Sequence, residues 1–197
     1  MAFRKPLKIT SRTSSITNSF VQAIIPHVPP TADEIKQALA VLGMSPEQQA
    51  CVYCGTPATD WDHLRPLVRG KRPTGYIDEI RNLVPACGPC NQSKSGAEWR
   101  TWMEGAAPGS PKTRGIADLP ERIARLHEFE RWGNVKPLPL EDLAGTEQWD
   151  AHWANLQKIE EQMKTAQVHA VAVRDTIQAA IDSARSPVPL FDSKRCC

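Results

Sequence analysis

The chain has 197 residues, enough for one domain of ordinary size or for a small domain with an extension. Hydrophobic residues make up 41% of it and charged residues 23%, a composition that allows a packed core and excludes a disordered chain. The 24 Lys and Arg against 22 Asp and Glu leave a formal net charge of +2, so the total charge neither requires nor excludes a nucleic-acid partner.

The apolar pattern excludes membrane and secretory classes. No stretch approaches the roughly 20 apolar residues that span a bilayer. The apolar stretch at 16–25 is interrupted by polar residues, unlike the core of a signal peptide. We therefore expect a protein without a membrane partner in the reducing cytoplasm, where paired cysteines indicate a metal before a disulfide.

Two helices are predicted in the first 50 residues. Apolar residues recur with helical spacing over 16–25, and Pro26 ends the pattern. Thr31 and Glu34 form a capping box ahead of a second helical pattern. Residues 45–48 open a further short turn of helix. The first 30 residues also hold four bases and no acid, which predicts a basic arm: Arg4, Lys5, Lys8 and Arg12.

Four of the six cysteines form two C-x2-C pairs, Cys51 with Cys54 and Cys87 with Cys90. Each pair can place two thiolates on one ion, and two pairs complete a tetrahedral zinc site with no position left for substrate. The pattern therefore predicts one structural Zn²⁺, whose binding contributes on the order of 10 kcal/mol to folding. The remaining two, Cys196 and Cys197, are interpreted as an unassigned tail.

The stretch between and after the zinc pairs predicts strand, loop, strand, helix. Residues 59–63 and 82–86 are the expected strands, and a helix is expected from Asn91 through Trp102. The intervening loop contains Pro and Gly, which argue against a regular helix or strand there. It also carries four bases and no acid: Arg65, Arg69, Lys71 and Arg72.

Residues 51–103 contain Asp62-His63, Asn82-Leu83-Val84-Pro85 and the run from Cys87 to Lys94. Together with the two cysteine pairs, these motifs resemble the HNH endonuclease family, the zinc-bracketed ββα-metal nucleases. The resemblance implies that Asn82 orders the loop that carries the histidine and that Asn91 binds metal. Because many members have His at the third position, this chain is an H-N-N variant. Residues 11–16 are similar to the leader of stand-alone bacterial HNH proteins.

The residue chemistry supports a nuclease. Phosphodiester hydrolysis needs an activated water and a cation that neutralises charge on the phosphate and the leaving oxygen. His63 is the expected general base. Asp62 and Asn91 are oxygen donors, which suit Mg²⁺ or Mn²⁺ better than zinc. Plain alternatives remain: His63 as a structural histidine, Asn91 as a helix cap, and Asn82 as the start of a strand.

The basic residues near this motif predict contacts with double-stranded DNA. They are the four bases of the loop and two on the helix that follows: Arg65, Arg69, Lys71, Arg72, Lys94 and Arg100. A solvated loop without a partner is the alternative. The other four histidines, His27, His127, His152 and His169, are interpreted as surface or packing residues.

The carboxy-terminal region is predicted to be helical. Residues 120–132 form one helix, and residues 147–184 form a long helix with a heptad-like apolar repeat. Folding back on the domain and pairing with a second copy explain this repeat equally well.

These elements predict an α+β chain in which a small ββα-metal zinc-bound core, residues 51–104, is embedded in helical segments, residues 1–50 and 105–197. The expected function is a metal-dependent DNA endonuclease of restriction or defence type. Two alternatives are a zinc-organised DNA-binding module that does not cut and an interaction element built on the long helix.

Overall fold

The computed structural model describes residues 6–185, a largely helical chain with two small two-stranded sheets. The α+β prediction is confirmed. Arg4, Lys5, Cys196 and Cys197 lie outside the described residues. The helices are α1 (Thr13–Ala23), α2 (Ala32–Val41), α3 (Gly88–Lys94), α4 (Trp99–Met103), α5 (Leu119–Gly133), α6 (Leu140–Ala144) and α7 (Thr146–Arg185). The strands are β1 (Asp60–His63), β2 (Val68–Arg69), β3 (Arg72–Pro73) and β4 (Leu83–Ala86).

The two amino-terminal helices form as their local signals predict. α2 begins at a complete capping box, in which the Glu34 amide donates to Thr31 Oγ1 at 3.3 Å and the Thr31 amide donates to the Glu34 carboxylate at 2.8 Å. The predicted helical turn at residues 45–48 is wrong, because these residues form a tight turn bridged between Ser45 and Gln48. The chain then enters the zinc knuckle, where the Cys51 amide donates to Thr56 O at 2.7 Å.

The predicted strands on either side of the basic loop are confirmed. β1 and β4 pair antiparallel, with Asp62 opposite Val84 and His63 opposite Leu83. The side chains of these two β1 residues differ in exposure, since Asp62 is buried and His63 is half-buried. This sheet presents both residues of the Asp62-His63 pair at one end of β1.

The helix expected from Asn91 through Trp102 is instead two helices. α3 begins three residues earlier than expected, with Cys87 at its N-cap and Pro89 in its first turn, so Asn91 is an interior residue and not a cap. It ends at Lys94, because Ser95 adopts a positive φ of 48°. The separate helix α4 starts where Glu98 accepts a hydrogen bond from the Thr101 amide at 2.8 Å.

The expectation that the basic loop contains no strand is wrong, because the loop holds a short β-hairpin. β2 and β3 pair antiparallel around Gly70 and Lys71, whose φ angles are 58° and 63°. A two-residue turn with positive φ at both positions matches the twist of the flanking strands. Glycine adopts this conformation readily, whereas Lys71 adopts it at a conformational cost.

The core that supports the candidate site is built by the ββα segment, α2, α4 and α5. Its largest fully buried members include Tyr53, Trp99 and Phe129. Tyr53 packs edge-on against Trp102 with ring centroids 5.1 Å apart. The predicted helix at 120–132 is confirmed as α5, which packs against α2.

The described chain divides into two compact units, one of which comprises residues 17–149 and contains the ββα core. The other contains most of α7, so the long predicted helix is confirmed as an element. Trp153 and Leu156 of α7 are buried, whereas Val173, Ile177 and Ile181 are exposed. Among the described helices, none is both long enough and apolar enough to cross a membrane.

Candidate active site and zinc centre

The four paired cysteines converge on one point. Their sulfur atoms all lie within 4.8 Å of one another, and Cys54 Sγ lies 3.7 Å from Cys87 Sγ. All four are free thiols. A tetrahedral zinc ion with bonds of about 2.3 Å places its sulfur ligands about 3.8 Å apart. The residues therefore fit a zinc ion, and Gly55, with φ of 81°, makes the turn that closes the first knuckle.

The thiols of this cluster shift one another's pKa values. A hydrogen bond from the Cys90 thiol lowers the pKa of Cys51 to about 5, and the same interaction raises the pKa of Cys90. Two arginines support the cluster from outside the two pairs. Arg114 donates to Cys90 Sγ at 3.2 Å, and Arg122 donates to the carbonyls of Cys51 and Val52 at 3.3 Å. Such cations stabilise thiolates and orient the knuckle backbone.

A cleft of about 360 Å³ brings together three of the predicted site residues, Asp62, His63 and Asn91. β1 supplies the first two and α3 supplies the third, so the ββα topology assembles them. Two residues of α1, Asn18 and Gln22, line the same cleft. The amino-terminal helix thus contributes a wall of this site.

The His63 ring is held by a carboxylate that the sequence analysis did not single out. His63 Nε2 lies 2.9 Å from Asp78 Oδ1, and Asp78 Oδ2 lies 2.7 Å from His27 Nδ1. Burial alone would raise the pKa of Asp78, but the hydrogen bonds from the two histidines outweigh it and lower that pKa. Asp78 is therefore ionised at neutral pH and accepts from both rings.

Asp62 takes part in a buried polar cluster. Its Oδ2 accepts from the Tyr53 hydroxyl at 2.6 Å and lies 3.0 Å from Lys94 Nζ, while Oδ1 is 3.3 Å from the same ammonium. Lys94 also donates to His63 O at 2.7 Å. Desolvation lowers the pKa of Lys94, and the charge of Asp62 opposes this shift. This ammonium thus holds both neighbouring motif residues of β1.

The buried side chain of Asn82 bonds to the segment that follows His63. Its Oδ1 accepts from the Arg65 amide at 2.8 Å, and its Nδ2 donates to Arg65 O at 3.0 Å and to Ile77 O at 3.4 Å. One amide thereby ties together the chain on both sides of the hairpin.

The six predicted DNA contacts fall into different environments. Arg69, Lys71 and Arg72 are exposed on the hairpin, and Arg100 is exposed on α4, where it pairs with Glu104. The prediction for Lys94 is wrong for this structure, because its side chain is fully buried against Asp62. Arg65 is half-buried between Glu98 and Glu130, so its guanidinium is engaged in the fold.

Some of the residues that form this site have no local sequence signal. Asp78 and His27 are brought together by backbone pairing across about 50 positions, and neither belongs to a recognisable motif. His27 lies at the surface as expected, and it also bonds to Asp78, the partner of His63. The sequence shows that Lys94 follows closely after the second cysteine pair, but it does not show that the Lys94 side chain is buried.

Comparisons with known proteins agree with this geometry. Residues 51–96 match the model of the family described as HNH endonuclease, so an HNH domain is present in this part of the chain. It begins at the first zinc cysteine and ends just after α3, and it supports a DNA-binding function of nuclease type. No significant match was found among curated proteins or solved structures.

Proposed function

We propose that this protein is a metal-dependent DNA endonuclease in which His63 is the general base. The observation that carries the proposal is the single cleft lined by Asp62, His63 and Asn91, with the His63 ring fixed by Asp78 at 2.9 Å. An imidazole needs such a partner to hold one tautomer and leave its other nitrogen free for proton transfer.

The ionised Asp78 accepts from Nε2–H, so Nδ1 of His63 carries the lone pair. In the proposed reaction this nitrogen takes a proton from the water that attacks phosphorus. The resulting imidazolium is stabilised by the charge of Asp78. Lys94 and Asn82 contribute by fixing the backbone at His63 and Arg65.

Asp62 and Asn91 would hold the catalytic cation. Their oxygen donors suit Mg²⁺ or Mn²⁺. Asp62 lines the cleft, and its Oδ1 makes one long hydrogen bond of 3.3 Å, which leaves lone-pair capacity on that oxygen. When bound, such an ion neutralises charge on the phosphate and on the leaving 3′ oxygen.

The substrate in this proposal is double-stranded DNA. Arg69, Lys71 and Arg72 lie on the hairpin that directly follows the His63 strand, and Arg100 adds an exposed charge on α4. Their use is phosphate contact, which is independent of sequence. Within the proposal, residues 51–104 are the nuclease domain between the flanking segments 1–50 and 105–197.

A restriction or defence role in a bacterial or phage setting is the biological part of the proposal. It rests on the HNH domain together with residues 11–16, which are similar to the leader of stand-alone bacterial HNH proteins. Four free thiols grouped for zinc suit a reducing cytoplasm.

A homodimer through α7 would give each strand of a duplex its own active site. Support comes from Val173, Ile177 and Ile181, which are exposed and recur every four residues. Analytical ultracentrifugation should show a dimer at tens of micromolar, and Ile177→Asp should give a monomer. A wild-type monomer at this concentration would contradict the dimer and leave the nuclease proposal standing.

Cleavage of supercoiled plasmid tests the enzyme against the non-catalytic DNA-binding alternative. The protein should nick or linearise plasmid with Mg²⁺ or Mn²⁺ and be inactive in EDTA, whereas His63→Ala should bind DNA without cutting. His169→Ala, an exposed residue of α7, is the matched control and should cut normally. DNA binding without divalent-dependent cleavage by the wild type would favour the alternative.

A further inference from the structure

His27 lies outside the matched segment 51–96, yet its backbone is paired with that segment. His27 and Asp78 form an isolated parallel bridge. The Val28 amide donates to Asp78 O at 2.8 Å, and the Asp78 amide donates to Pro26 O at 3.1 Å. Because these two bonds flank His27, they fix its backbone beside Asp78.

The side chains of His27 and Asp78 are paired as well. His27 Nδ1 lies 2.7 Å from Asp78 Oδ2, and the other oxygen of the same carboxylate lies 2.9 Å from His63 Nε2. A carboxylate held at both oxygens cannot rotate without breaking one of these bonds. The direction of the bond to His63 therefore depends on the bond to His27.

We propose that His27 is a positioning residue that acts on His63 through Asp78. The chain His27, Asp78, His63 holds the Nε2–H of His63 and aims its Nδ1 into the cleft. The expected effect of His27 on cleavage rests on the proposed function. The expected effect of His27 on the His63 ring does not depend on that function.

A purely structural role does not account for this contact. The side chain of His27 is 59% exposed, so it buries little surface, and an exposed ion pair of this kind stabilises a fold only weakly. The backbone pairing of residues 26–28 with Asp78 also needs no imidazole. The His27 ring contributes one hydrogen-bond donor to Asp78 Oδ2.

Two variants at position 27 separate positioning from stability. His27→Ala removes the donor, and His27→Asn restores it, because the amide nitrogen of Asn can take the place of Nδ1. His169→Ala serves as the control for loss of an exposed histidine. All variants are the full-length, zinc-loaded chain.

The first readout is steady-state cleavage of a duplex. His27→Ala should lower kcat about tenfold, the scale typical of lost outer-shell contacts, with KM unchanged. His27→Asn should recover most of kcat, and His169→Ala should match the wild type. Unchanged kcat in His27→Ala, or a loss that His27→Asn does not recover, would overturn the proposal.

The second readout is nuclear magnetic resonance of the His63 ring proton at Nε2, which needs no DNA. Its exchange with water should be several-fold faster in His27→Ala than in wild type and slow again in His27→Asn. Equal exchange in wild type and His27→Ala would refute the positioning role. If the ring proton responds but no variant cuts DNA, the proposed nuclease function fails and the positioning inference stands.

Discussion

Lys94 connects the two β1 residues of the candidate site. Its ammonium donates to His63 O at 2.7 Å and pairs with Asp62 at 3.0 Å, with its side chain fully buried. Removing one partner of a buried ion pair leaves an uncompensated charge in a medium that solvates it poorly. The residue is therefore a structural cation of the site, in contrast to the exposed arginines of the hairpin.

Lys94→Met should destabilise the protein by about 3–5 kcal/mol, because Asp62 would remain buried without its counterion. Urea unfolding measures the change. Lys94→Met combined with Asp62→Asn should recover part of the loss, since it removes the orphaned charge as well. Full stability of the single variant, or weakened DNA binding by a fully folded one, would contradict the structural role.

Helices and strands that depend on interactions between residues close in the sequence can be predicted from local sequence patterns. The sequence predicts the capping box at Thr31 and the strands flanking the basic loop, because capping and apolar patterns act within a few residues. The break of the helix at Ser95 was not predicted, because the positive φ of 48° falls on Ser95 and not on the glycine that follows it, Gly96. The hairpin was missed for the same reason, since Lys71 occupies a position that usually carries Gly or Asn.

The residues of the candidate site also divide into those with a local sequence signal and those without one. The four cysteines, His63 and Asn91 were identified because they stand in short motifs whose order and spacing are recognisable in the sequence. The partners of His63 were missed because bridging of residue 27 to residue 78 depends on the whole fold.

Two arginines of one loop provide a matched pair for testing the hairpin as a DNA-binding element. Arg69→Gln should weaken DNA binding and lower the slope of log K against log salt by about one, as expected for one lost phosphate contact. Arg65→Gln should leave that slope unchanged and lower stability, because Arg65 pairs with Glu98 and Glu130. Fluorescence anisotropy over a salt series measures both, and the reverse pattern would remove the hairpin from the interface.

For the whole molecule, zinc is the expected organiser of the ββα core. The four sulfurs lie within 4.8 Å of one another, and Cys51, Cys87 and Cys90 belong to the buried core, so one ion would join the two cysteine pairs inside that core. Binding releases protons from the thiols, so acidification opposes it.

Purified protein should contain one zinc ion per chain, and Cys87→Ser should lose both the metal and the fold, because zinc contributes on the order of 10 kcal/mol. Atomic absorption and circular dichroism measure these two properties. Cys196→Ser is the control and should keep its zinc. A folded, metal-free Cys87→Ser protein would contradict a structural role for zinc.

The most direct test of the proposed nuclease is the single-turnover rate of DNA cleavage by wild type and His63→Ala at equal zinc content. Loss of a general base typically lowers the rate by about 10²–10⁴-fold, so His63→Ala should cut at least about a hundredfold more slowly with DNA affinity unchanged. Equal rates for the two proteins, or no cleavage by wild type with either Mg²⁺ or Mn²⁺, would refute His63 as the general base of a nuclease.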